Sequence, residues 1–345
     1  MNLVDPYIPK IDSVPAGIHR PLWSVMIPTY NCAKYLRQNL ESVLQQDAGS
    51  QEMQIEVVDD CSTKDDPRAV VEEIGKGRVS FYRQPQNAGA TANFNTCIRR
   101  SLGHFVHILH GDDLVLPSFY ANLGGGLRQN GGTGAAFCRY VVIEEDGHWQ
   151  YLSGIERRTA GYLENWLFRI ALEQVIQCPS IVVRRTVYET LGGYHSRLIH
   201  AADWEMWKRI AVHYPFWYEP QPLACYRIHN ASDTSRLLRS GANVADTREA
   251  IRISEAYLPS NCAKWLSKRS LKHWATHALG QSRVYLGKRD LRAAFSQIRE
   301  AVRCSSSPRI LLGVVRLLLW AGCRSIIRGG RLLIRNLRKA RSVCS

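Results

Sequence analysis

Four short apolar runs, each followed by a helical pattern, occupy the first third of the chain and restrict the folds that it can adopt. Between the runs, apolar residues recur at the three- and four-residue steps of an amphipathic helix. The predicted strands are Trp23–Ile27, Ile55–Val58, Val79–Tyr82 and Phe105–Leu109, and the predicted helices are Lys34–Gln46, Pro67–Ile74, Ala90–Arg100 and one that begins at Pro117. Strands that alternate with helices assemble into a mostly parallel sheet covered on both faces, so we predict an α/β fold.

The pattern becomes irregular after residue 120 and turns helical throughout after about Arg236. Glycines at 124–126 and 131–132 indicate loose connections. The middle region has predicted strands at Ala135–Ile143, His148–Leu152, Ser180–Val183, Phe216–Tyr218 and Leu223–Ile228, and predicted helices at Gly161–Glu173, Arg185–Leu191 and Trp204–His213. We therefore expect an N-terminal leader (residues 1–20), an α/β domain (residues 21–235) and a helical C-terminal region (residues 236–345).

The chain of 345 residues carries a formal net charge of +15, which favours an anionic partner such as a phosphate-bearing substrate, nucleic acid or an acidic lipid surface. The excess lies mainly at the C-terminal end, because no Asp or Glu follows Glu300. The basic residues there are Arg303, Arg309, Arg316, Arg324, Arg328, Arg331, Arg335, Arg338, Lys339 and Arg341. The charge therefore says little about the α/β domain itself.

The cysteines and the N-terminal residues indicate in which cellular compartment the protein is located. Ten cysteines are scattered singly with no C-x-x-C pair, which argues against zinc sites and disulfide frameworks and favours reduced thiols. Residues 1–20 lack the apolar core of a signal peptide. No uncharged run reaches the roughly 20 residues of a membrane-spanning helix. We therefore expect a cytoplasmic protein.

Polar and aromatic residues follow the first two predicted strands. Pro28 and Tyr30 end the first strand, where exposed backbone groups and an aromatic ring suit a flat heterocycle. The alternative is an ordinary loop with Asn31 as a helix cap, which the local sequence favours. Asp60 ends the second strand, where a carboxylate can accept a hydrogen bond from a base or a ribose hydroxyl. Helix capping by Asp60 or Ser62 is an equally good local interpretation.

The fourth predicted strand ends in His110-Gly111-Asp112-Asp113, which places two adjacent acids at the carboxyl end of a buried strand. Ligands of open α/β sheets bind at this end of the strands. Two acids are costly to place there unless a positive charge lies beside them, and hard carboxylate ligands suit Mg²⁺ or Mn²⁺. One acid could instead cap the helix near Pro117, but a cap requires only one. The pair therefore favours a metal or phosphate site.

A further acid, Asp203, precedes the predicted helix that begins at Trp204. Its functional interpretation is a general base at a helix N-terminus beside tryptophan. Its structural interpretation is a helix N-cap, and the local sequence favours this second one. The chain contains neither G-x-G-x-x-G nor G-x-x-x-x-G-K-[ST], which argues against dinucleotide dehydrogenases and P-loop enzymes.

Residues from about Trp23 to Asn230 resemble the family 2 glycosyltransferases, which have the GT-A nucleotide-sugar-binding fold. The matching segments are, in order, SVMIPTYN, IEVVDDCST, NAGATANFNTCI, HILHGDDLVLP, LGGYHSRLIHAADWEMWKRIA and YRIHNAS. The resemblance implies inverting transfer of a sugar from a nucleoside-diphosphate donor to a hydroxyl of a saccharide or lipid-linked acceptor, in the synthesis of a bacterial cell-surface polysaccharide or glycolipid. It also implies Mg²⁺ or Mn²⁺ as the cofactor.

The resemblance assigns roles to individual residues. Asp203 corresponds to the catalytic base, and Asp112 to the last acid of the D-x-D motif, which binds the metal. His229 falls where the family reaches back over the diphosphate, as a late metal or phosphate ligand. The implied donor-binding residues are Pro28, Thr29, Tyr30, Asp60, Asn87, Gly111 and Asp112. Further residues of interest are Asp113, which we expect to brace the turn, and Trp204, which adjoins the base.

Two positions differ from the family's pattern. His110 replaces the first acid of D-x-D, and Ala202 replaces the Glu that precedes the base. These differences keep open an alternative, namely a catalytically degenerate protein of this fold that binds a membrane or a polyanion.

The C-terminal end combines apolar pairs with arginines, and Arg324, Arg328, Arg331, Arg335 and Arg338 recur at three- and four-residue steps. A basic amphipathic helix of this kind suits an anionic membrane interface. The structural alternative is a helix that packs its apolar side on the rest of the protein. The tail lacks an aromatic series for stacking on bases, so we expect no nucleic-acid partner. From the basic amphipathic pattern we expect a peripheral location at the inner face of the cell membrane.

Overall fold

The computed structural model describes residues 5–230 and 232–321, which form two compact units. The first unit contains the residues up to Ser232 together with Glu249–Ser267. The second contains Asp233–Arg248 together with the chain from Lys268 onward. The segment Glu249–Ser267, which we assigned to the helical C-terminal region, is therefore part of the first unit.

The N-terminal half of the first unit confirms the four strand–helix repeats. Its elements are β1 (Trp23–Thr29), α1 (Ala33–Leu44), β2 (Met53–Asp59), α2 (Pro67–Gly75), β3 (Ser80–Arg83), α3 (Ala90–Arg100) and β4 (Phe105–Ile108). β1 pairs in parallel with β2 and β4, and β2 with β3. Every residue of β1 is buried, because helices cover both faces of a parallel sheet. The carboxyl ends of β1, β2 and β4 therefore meet at one edge.

The second half extends the same sheet with mixed pairing. Its elements are β5 (Leu114–Val115), α4 (Phe119–Gln129), β6 (Ala135–Ile143), β7 (Trp149–Leu152), β8 (Gly161–Tyr162), α5 (Trp166–Leu172), a 3₁₀ turn (Cys178–Ser180), β9 (Ile181–Arg184), α6 (Arg185–Leu191), α7 (Ala202–His213) and β10 (Phe216–Arg227). The strand order is β3-β2-β1-β4-β9-β6-β10-β5, with β7 beside β6 and β8 beside β10. The antiparallel β9 separates the two parallel parts of the sheet.

Three predicted elements of this half differ from the structure. The helix predicted over Gly161–Glu173 is the short strand β8 followed by α5, since residues 161–162 pair with β10. The two strands predicted at 216–218 and 223–228 are one strand, β10, with register shifts between Glu219 and Ala224. The two-residue strand β5 was missed because it is too short to show a period.

The triple glycine at 124–126 lies inside α4 and is not the loose connection that we predicted. A Cβ atom on Gly126 would lie 2.2 Å from the Trp217 ring, and one on Gly124 would lie 2.7 Å from the Trp23 ring. These glycines allow the helix backbone to approach two indole rings closely. Close packing therefore outweighs the low helix propensity of glycine here.

The leader residues pack on the first unit. Ile11 is buried, the Pro9 carbonyl accepts from the Gly193 amide at 2.8 Å, and the Tyr7 carbonyl accepts from the Ser196 amide at 2.8 Å. Asp5 lies 3.3 Å from His195. The leader thus fixes the segment after α6, which leads toward Asp203.

The second unit is helical in its described residues. From residue 233 the chain forms α8 (Asp233–Ser240), α9 (Ala242–Glu255), α10 (Ala263–Gly287), α11 (Leu291–Cys304) and α12 (residues 308–321), and the second unit contains these helices except for Glu249–Ser267. Small side chains let these helices approach closely, and its core contains Val244, Ala275, Ala278, Ala301, Cys304 and Ile310. Among the described residues, no helix is both long and apolar enough to cross a membrane. The tail arginines from Arg324 onward lie outside the described residues.

Candidate active site

The loops after β1 and β2 interlock through Asn31. Its backbone is left-handed (φ 51°), its amide donates to Ser62 Oγ at 2.8 Å, and its side-chain oxygen accepts from the amides of Thr63 and Lys64. The N-cap of α1 is Cys32, which makes no side-chain capping bond. Asn31 therefore links two loops and does not cap α1.

The three predicted donor-binding residues of β1 have different environments. The Pro28 carbonyl accepts from the Gly111 amide at 3.1 Å, which joins the ends of β1 and β4. Thr29 is buried and its hydroxyl contacts the Cys32 thiol at 2.7 Å. Tyr30 is 45% exposed, so its ring is available to a ligand at this edge of the sheet.

Asp60 organises the turn that precedes α3. Its carboxylate accepts from the amides of Ala88 and Gly89 at 2.8 and 2.9 Å, and its carbonyl accepts from the Asn87 side chain at 3.3 Å. Burial raises the pKa of Asp60, although the two amides partly offset this effect. The structure therefore brings the predicted donor-binding residues Asp60 and Asn87 together.

Neither Asp60 nor Ser62 caps α2. The cap is Asp66, whose carboxylate accepts from the amides of Arg68 and Ala69. Asp59 is paired with Arg83 at 2.6 Å and also accepts from Ser62. The capping alternative for the second strand end is therefore wrong.

The space around the Gly111 backbone is too small for any side chain. A Cβ atom would lie 2.9 Å from Cys32 Sγ and 3.1 Å from Thr29 Oγ1. The backbone of the turn thus passes close to the loop after β1, which brings the ends of the two strands together.

We expect Gly111→Ala to destabilise the protein by about 1–3 kcal/mol, because the added methyl group overpacks a buried contact. Gly125→Ala is the matched control, since it meets no atom within 4 Å inside α4 and should be neutral or stabilising. Urea unfolding of both variants measures the difference. Equal midpoints would contradict the tight contact.

Asp112 and His229 lie in direct contact, although they are far apart in sequence. His229 Nε2 is 3.0 Å from Asp112 Oδ2, and the His229 ring packs on Tyr35. Burial by itself raises the pKa of Asp112, but the hydrogen bond from His229 and the charge of His110 outweigh it and lower the pKa below its ordinary value. Asp112 is therefore ionised.

Asp113 connects the turn after β4 to β10. It is buried, and its Oδ1 accepts from the Arg227 amide at 2.9 Å. Arg227 also donates from Nε to the Asp112 carbonyl at 2.8 Å, and its guanidinium reaches the carbonyls of Glu144 and Glu145. Burial and the Asp112 charge raise the pKa of Asp113 well above its ordinary value.

His110 stacks on Phe94, with ring centroids 4.8 Å apart. Its Nδ1 lies 3.8 Å from Asp113 Oδ2. Burial lowers the pKa of His110, although the Asp112 charge acts in the opposite direction. Among the described residues, His110 Nε2 and Asp113 Oδ2 are buried atoms without a hydrogen-bond partner.

One ligand atom each from His110, Asp112 and Asp113 lies within 4.8 Å of the other two. Two carboxyl groups and an imidazole form a donor set that Mn²⁺ or Mg²⁺ accepts. The two unpartnered atoms are those that a cation would satisfy. The residues present therefore fit the implied metal.

Asp203 lies in the first turn of α7, after the N-cap Ala201, so it is not the cap. Its Oδ1 accepts from the Trp204 amide at 2.7 Å, and its Oδ2 accepts from Gln174 Nε2 at 2.6 Å. Burial raises the pKa of Asp203 to about 7, although these donors act in the opposite direction. A half-buried carboxylate with this pKa can take up a proton near neutral pH.

Cys178 connects the two acidic groups. Burial raises the pKa of its thiol, and the charges of Asp203 and Asp113 raise it further. The thiol also lies 3.8 Å from Asp203 Oδ2. Cys178 therefore lies close to both Asp203 and Asp113.

Trp204 is fully buried and its Nε1 donates to the Ile170 carbonyl at 2.7 Å. The buried Lys208 ammonium lies 3.7 Å from its ring centroid. Trp204, which we named because it adjoins the base, thus belongs to the core, where it anchors α7. The helix that it anchors nevertheless positions Asp203.

Sequence reasoning missed three residues of the site: Phe94, Gln174 and Arg227. Arg227 lies in the YRIHNAS segment, two residues before His229. This proximity in sequence was the signal that could have identified Arg227 as a site residue. Phe94 lies in α3, shortly after Asn87, but no local pattern indicates that its ring stacks on His110. Gln174 lies in an irregular segment, and only the tertiary structure brings it to Asp203.

A cavity of about 210 Å³ adjoins Gln174. Its walls include the aromatic Tyr140 and Tyr218 and a charged network in which Arg169 pairs with Glu156 at 3.0 Å and with Glu173. Arg139 also lines the cavity and donates to the Ser153 carbonyl. The cavity is therefore polar, with its acids neutralised by arginine.

The sheet order and the acidic turn after β4 are those of the GT-A fold. The structure superposes on Staphylococcus aureus TarS residues 1–349 in complex with UDP-GlcNAc with a TM-score of 0.64, at 17% identity over 84% of this chain and 82% of that chain. It superposes on the mannosyltransferase PcManGT of Pyrobaculum calidifontis, in complex with GDP-Man and Mn²⁺, with a TM-score of 0.55, at 18% identity over 90% of this chain and 83% of that one. These likenesses confirm the predicted fold.

Sequence comparison identifies the family. Residues 24–192 match the profile described as Glycosyl transferase family 2. An uncharacterized glycosyltransferase of Methanocaldococcus jannaschii is 28% identical over 61% of this chain and 72% of its own length. Chondroitin synthase of Escherichia coli is 26% identical over 57% of this chain and 27% of its own length. Residues 24–192 therefore form a family 2 glycosyltransferase domain.

Proposed function

We propose that this glycosyltransferase inverts the configuration of the transferred sugar and uses a nucleoside-diphosphate sugar, with Asp203 as the base. The observation that carries the proposal is the opposite direction of the pKa shifts of two acids, Asp112 and Asp203. Asp112 is held ionised by His229, whereas burial raises the pKa of Asp203 to about 7. When the pKa values of two carboxyl groups shift in opposite directions, the group with the lowered pKa can bind a cation and the group with the raised pKa can accept a proton.

The donor diphosphate and its metal would lie at the edge where β1, β2 and β4 end. Asp112 and His229 would hold Mg²⁺ or Mn²⁺, with His110 and Asp113 as the neighbouring donors. Such a cation neutralises the charge that develops on a diphosphate leaving group. Tyr30 offers a ring for the base, and Pro28, Thr29, Asp60, Asn87 and Gly111 shape the backbone around the nucleoside.

The acceptor hydroxyl would approach Asp203 from the opposite side of the sugar. Its oxygen bonds to the sugar C1 as the bond from C1 to the diphosphate oxygen breaks, and its proton passes to the Asp203 carboxylate. A positioned base of this kind contributes roughly 10²–10⁴-fold to the rate.

The cavity beside Gln174 supports a saccharide or lipid-linked acceptor. Its tyrosines offer flat surfaces to a sugar ring, and its polar groups offer hydrogen bonds to hydroxyls. Two relatives support a polymer product, because their names include a polysaccharide or a polyol-phosphate polymer. They are chondroitin synthase and the poly(ribitol-phosphate) β-N-acetylglucosaminyltransferase TarS. We infer a role in the synthesis of a cell-surface polysaccharide or glycolipid.

A thermal-shift screen of nucleotide sugars with and without Mn²⁺ tests the donor proposal. We expect one nucleoside diphosphate and its sugar derivative to raise the melting temperature, and Mn²⁺ to increase the shift. The absence of any shift across uridine, guanosine, cytidine and thymidine diphosphate sugars would contradict the proposal.

We predict that Gln174→Leu moves the acid limb of the pH–rate profile upward. The Gln174 amide donates to the ionised carboxylate, so its removal disfavours the charged form and raises the pKa of Asp203 further above about 7. Since the base acts deprotonated, turnover then requires a higher pH. Gln150→Leu on the exposed strand β7 is the matched control, and identical profiles for both variants would exclude this role.

A catalytically degenerate protein is the second candidate, favoured by two positions in the sequence. His110 occupies the position of an acid, and Ala202 leaves Asp203 without an adjacent Glu. Slow hydrolysis of the donor sugar by water separates the candidates, because an active transferase releases some free sugar. Nucleotide binding without any hydrolysis or transfer would support degeneracy.

The basic tail supports a peripheral location at the inner, cytoplasmic face of the cell membrane. Arg324, Arg328, Arg331, Arg335 and Arg338 share one side of a helical pattern, and no acid accompanies them. Each basic residue near an anionic surface contributes about 1 kcal/mol of attraction. Such a location would bring the enzyme close to a lipid-linked acceptor.

A further inference from the structure

The last described helix exposes an apolar stripe to solvent. On α12, Leu311, Leu312, Val315, Leu318 and Leu319 are all exposed, and their three- and four-residue steps place them on one side. We call these five side chains the α12 stripe. On α11 of the same unit, Leu291, Phe295 and Val302 are exposed at comparable spacing.

The other side of α12 is already buried. Ile310 belongs to the core of the second unit, and Leu317 is also buried. The helix therefore has two apolar sides, one packed on its own unit and one that lacks cover in the described residues. Single exposed apolar residues are ordinary, whereas a continuous stripe of them marks an interaction surface.

Basic side chains accompany the stripe. Arg309 and Arg316 are exposed on the same helix and make no ion pair with any residue that the structure describes. Arg299 and Arg303 share one carboxylate, that of Glu300. Since no acid follows Glu300 in the sequence, the surface around the stripe is positively charged.

The charge selects among the partners that could cover the stripe. A second copy of the chain would bring its own Arg309 and Arg316 into the same interface, because a two-fold interface uses one patch twice. The following segment, residues 322–345, is also rich in arginine and free of acids. Like charges disfavour both, whereas an anionic lipid surface satisfies the apolar and the basic groups together.

We propose that α12 lies in the interfacial layer of an anionic membrane, with the α12 stripe inserted among the acyl chains and Arg309 and Arg316 beside lipid headgroups. This inference extends the proposed membrane partner from the tail to a folded helix. It does not depend on the sugar-transfer reaction.

Flotation of the full chain with vesicles tests the proposal. We expect binding to vesicles that contain phosphatidylglycerol and little binding to phosphatidylcholine alone, and we expect high salt to weaken it. The triple variant Leu312→Ser/Val315→Ser/Leu319→Ser should lower partitioning by about ten-fold or more. Ile18→Ser is the matched single control, because Ile18 and Leu312 are both 49% exposed.

Two results would overturn the inference. One is a triple variant that floats like the wild type. The other is a wild-type chain that forms dimers which the triple variant abolishes, because the occupant is then a second copy. Circular dichroism verifies the fold of each variant. Donor binding by thermal shift in the same samples reports on the transferase proposal separately, since a soluble variant should still bind the nucleotide sugar.

Discussion

Asp203→Asn is expected to lower sugar transfer by roughly 10²–10⁴-fold while it leaves the affinity for the nucleotide sugar nearly unchanged. The asparagine retains the size of the side chain and its contact with the Trp204 amide, but it cannot accept the acceptor's proton. Gln174 and the start of α7 keep their places, so the fold and the donor site should persist. Initial rates together with calorimetric donor binding measure the two effects.

The control for this variant is Asp66→Asn. Asp66 caps α2 and lies outside the proposed chemistry, and asparagine is an equally good capping residue. This control should retain wild-type turnover. Near-normal turnover by Asp203→Asn would show that another group accepts the proton.

Asp112→Ala is expected to remove the dependence of nucleotide affinity on Mn²⁺. The carboxylate is the one ionised group that the turn directs toward His229, and its loss leaves only histidine and the buried Asp113 beside the diphosphate. Substitution of residues that merely orient a ligand weakens metal binding by about 10–100-fold, so removal of the carboxylate itself should cost at least about 100-fold. Calorimetric titration of the nucleoside diphosphate with and without Mn²⁺ measures the loss.

A surface pair provides the matched control. Asp146 lies 3.6 Å from His148 on an exposed turn, so Asp146→Ala removes an acid beside a histidine without touching the site. Its metal titration should equal that of the wild type. An unchanged titration for Asp112→Ala as well would place the metal elsewhere.

Much of the fold could be predicted because the parallel half of the sheet is local in sequence. β1 to β4 and the helices between them repeat a short apolar run followed by a helical period, and each element forms close to its predicted bounds. The half of the sheet with mixed strand pairing was harder to predict from the sequence. β8 has only two residues, and β10 contains shifts in register that look like a break in the sequence.

The glycines illustrate the same limit. Gly111 was named only as a donor-binding residue, whereas in the structure Cys32 and Thr29 leave no space for a side chain there. The triple glycine of α4 was predicted to be a loose connection. Its function in packing depends on Trp217 and Trp23, which approach from distant strands and leave no local sign.

The candidate site divides along similar lines. Asp60, Asp112 and Asp203 were singled out because each acid stands at the end of a strand or the start of a helix. Local sequence allowed each to be a cap, and only the positions of Asp66 and Ala201 as the actual helix caps exclude that interpretation for Asp60 and Asp203. Trp204 was taken for a site residue because it adjoins Asp203, although its side chain is buried and bonded to the Ile170 carbonyl.

By itself, the sequence determined the α/β class, the parallel half of the sheet and the acids at its edge, since these depend on short-range periodicity and on the cost of burying charge. Only the tertiary structure decided which groups face one another. His229 reaches Asp112, Gln174 reaches Asp203, and Arg227 links the turn to β10, each across a long interval of chain. Contacts of this kind depend on strand order and strand register, which no local pattern in the sequence encodes.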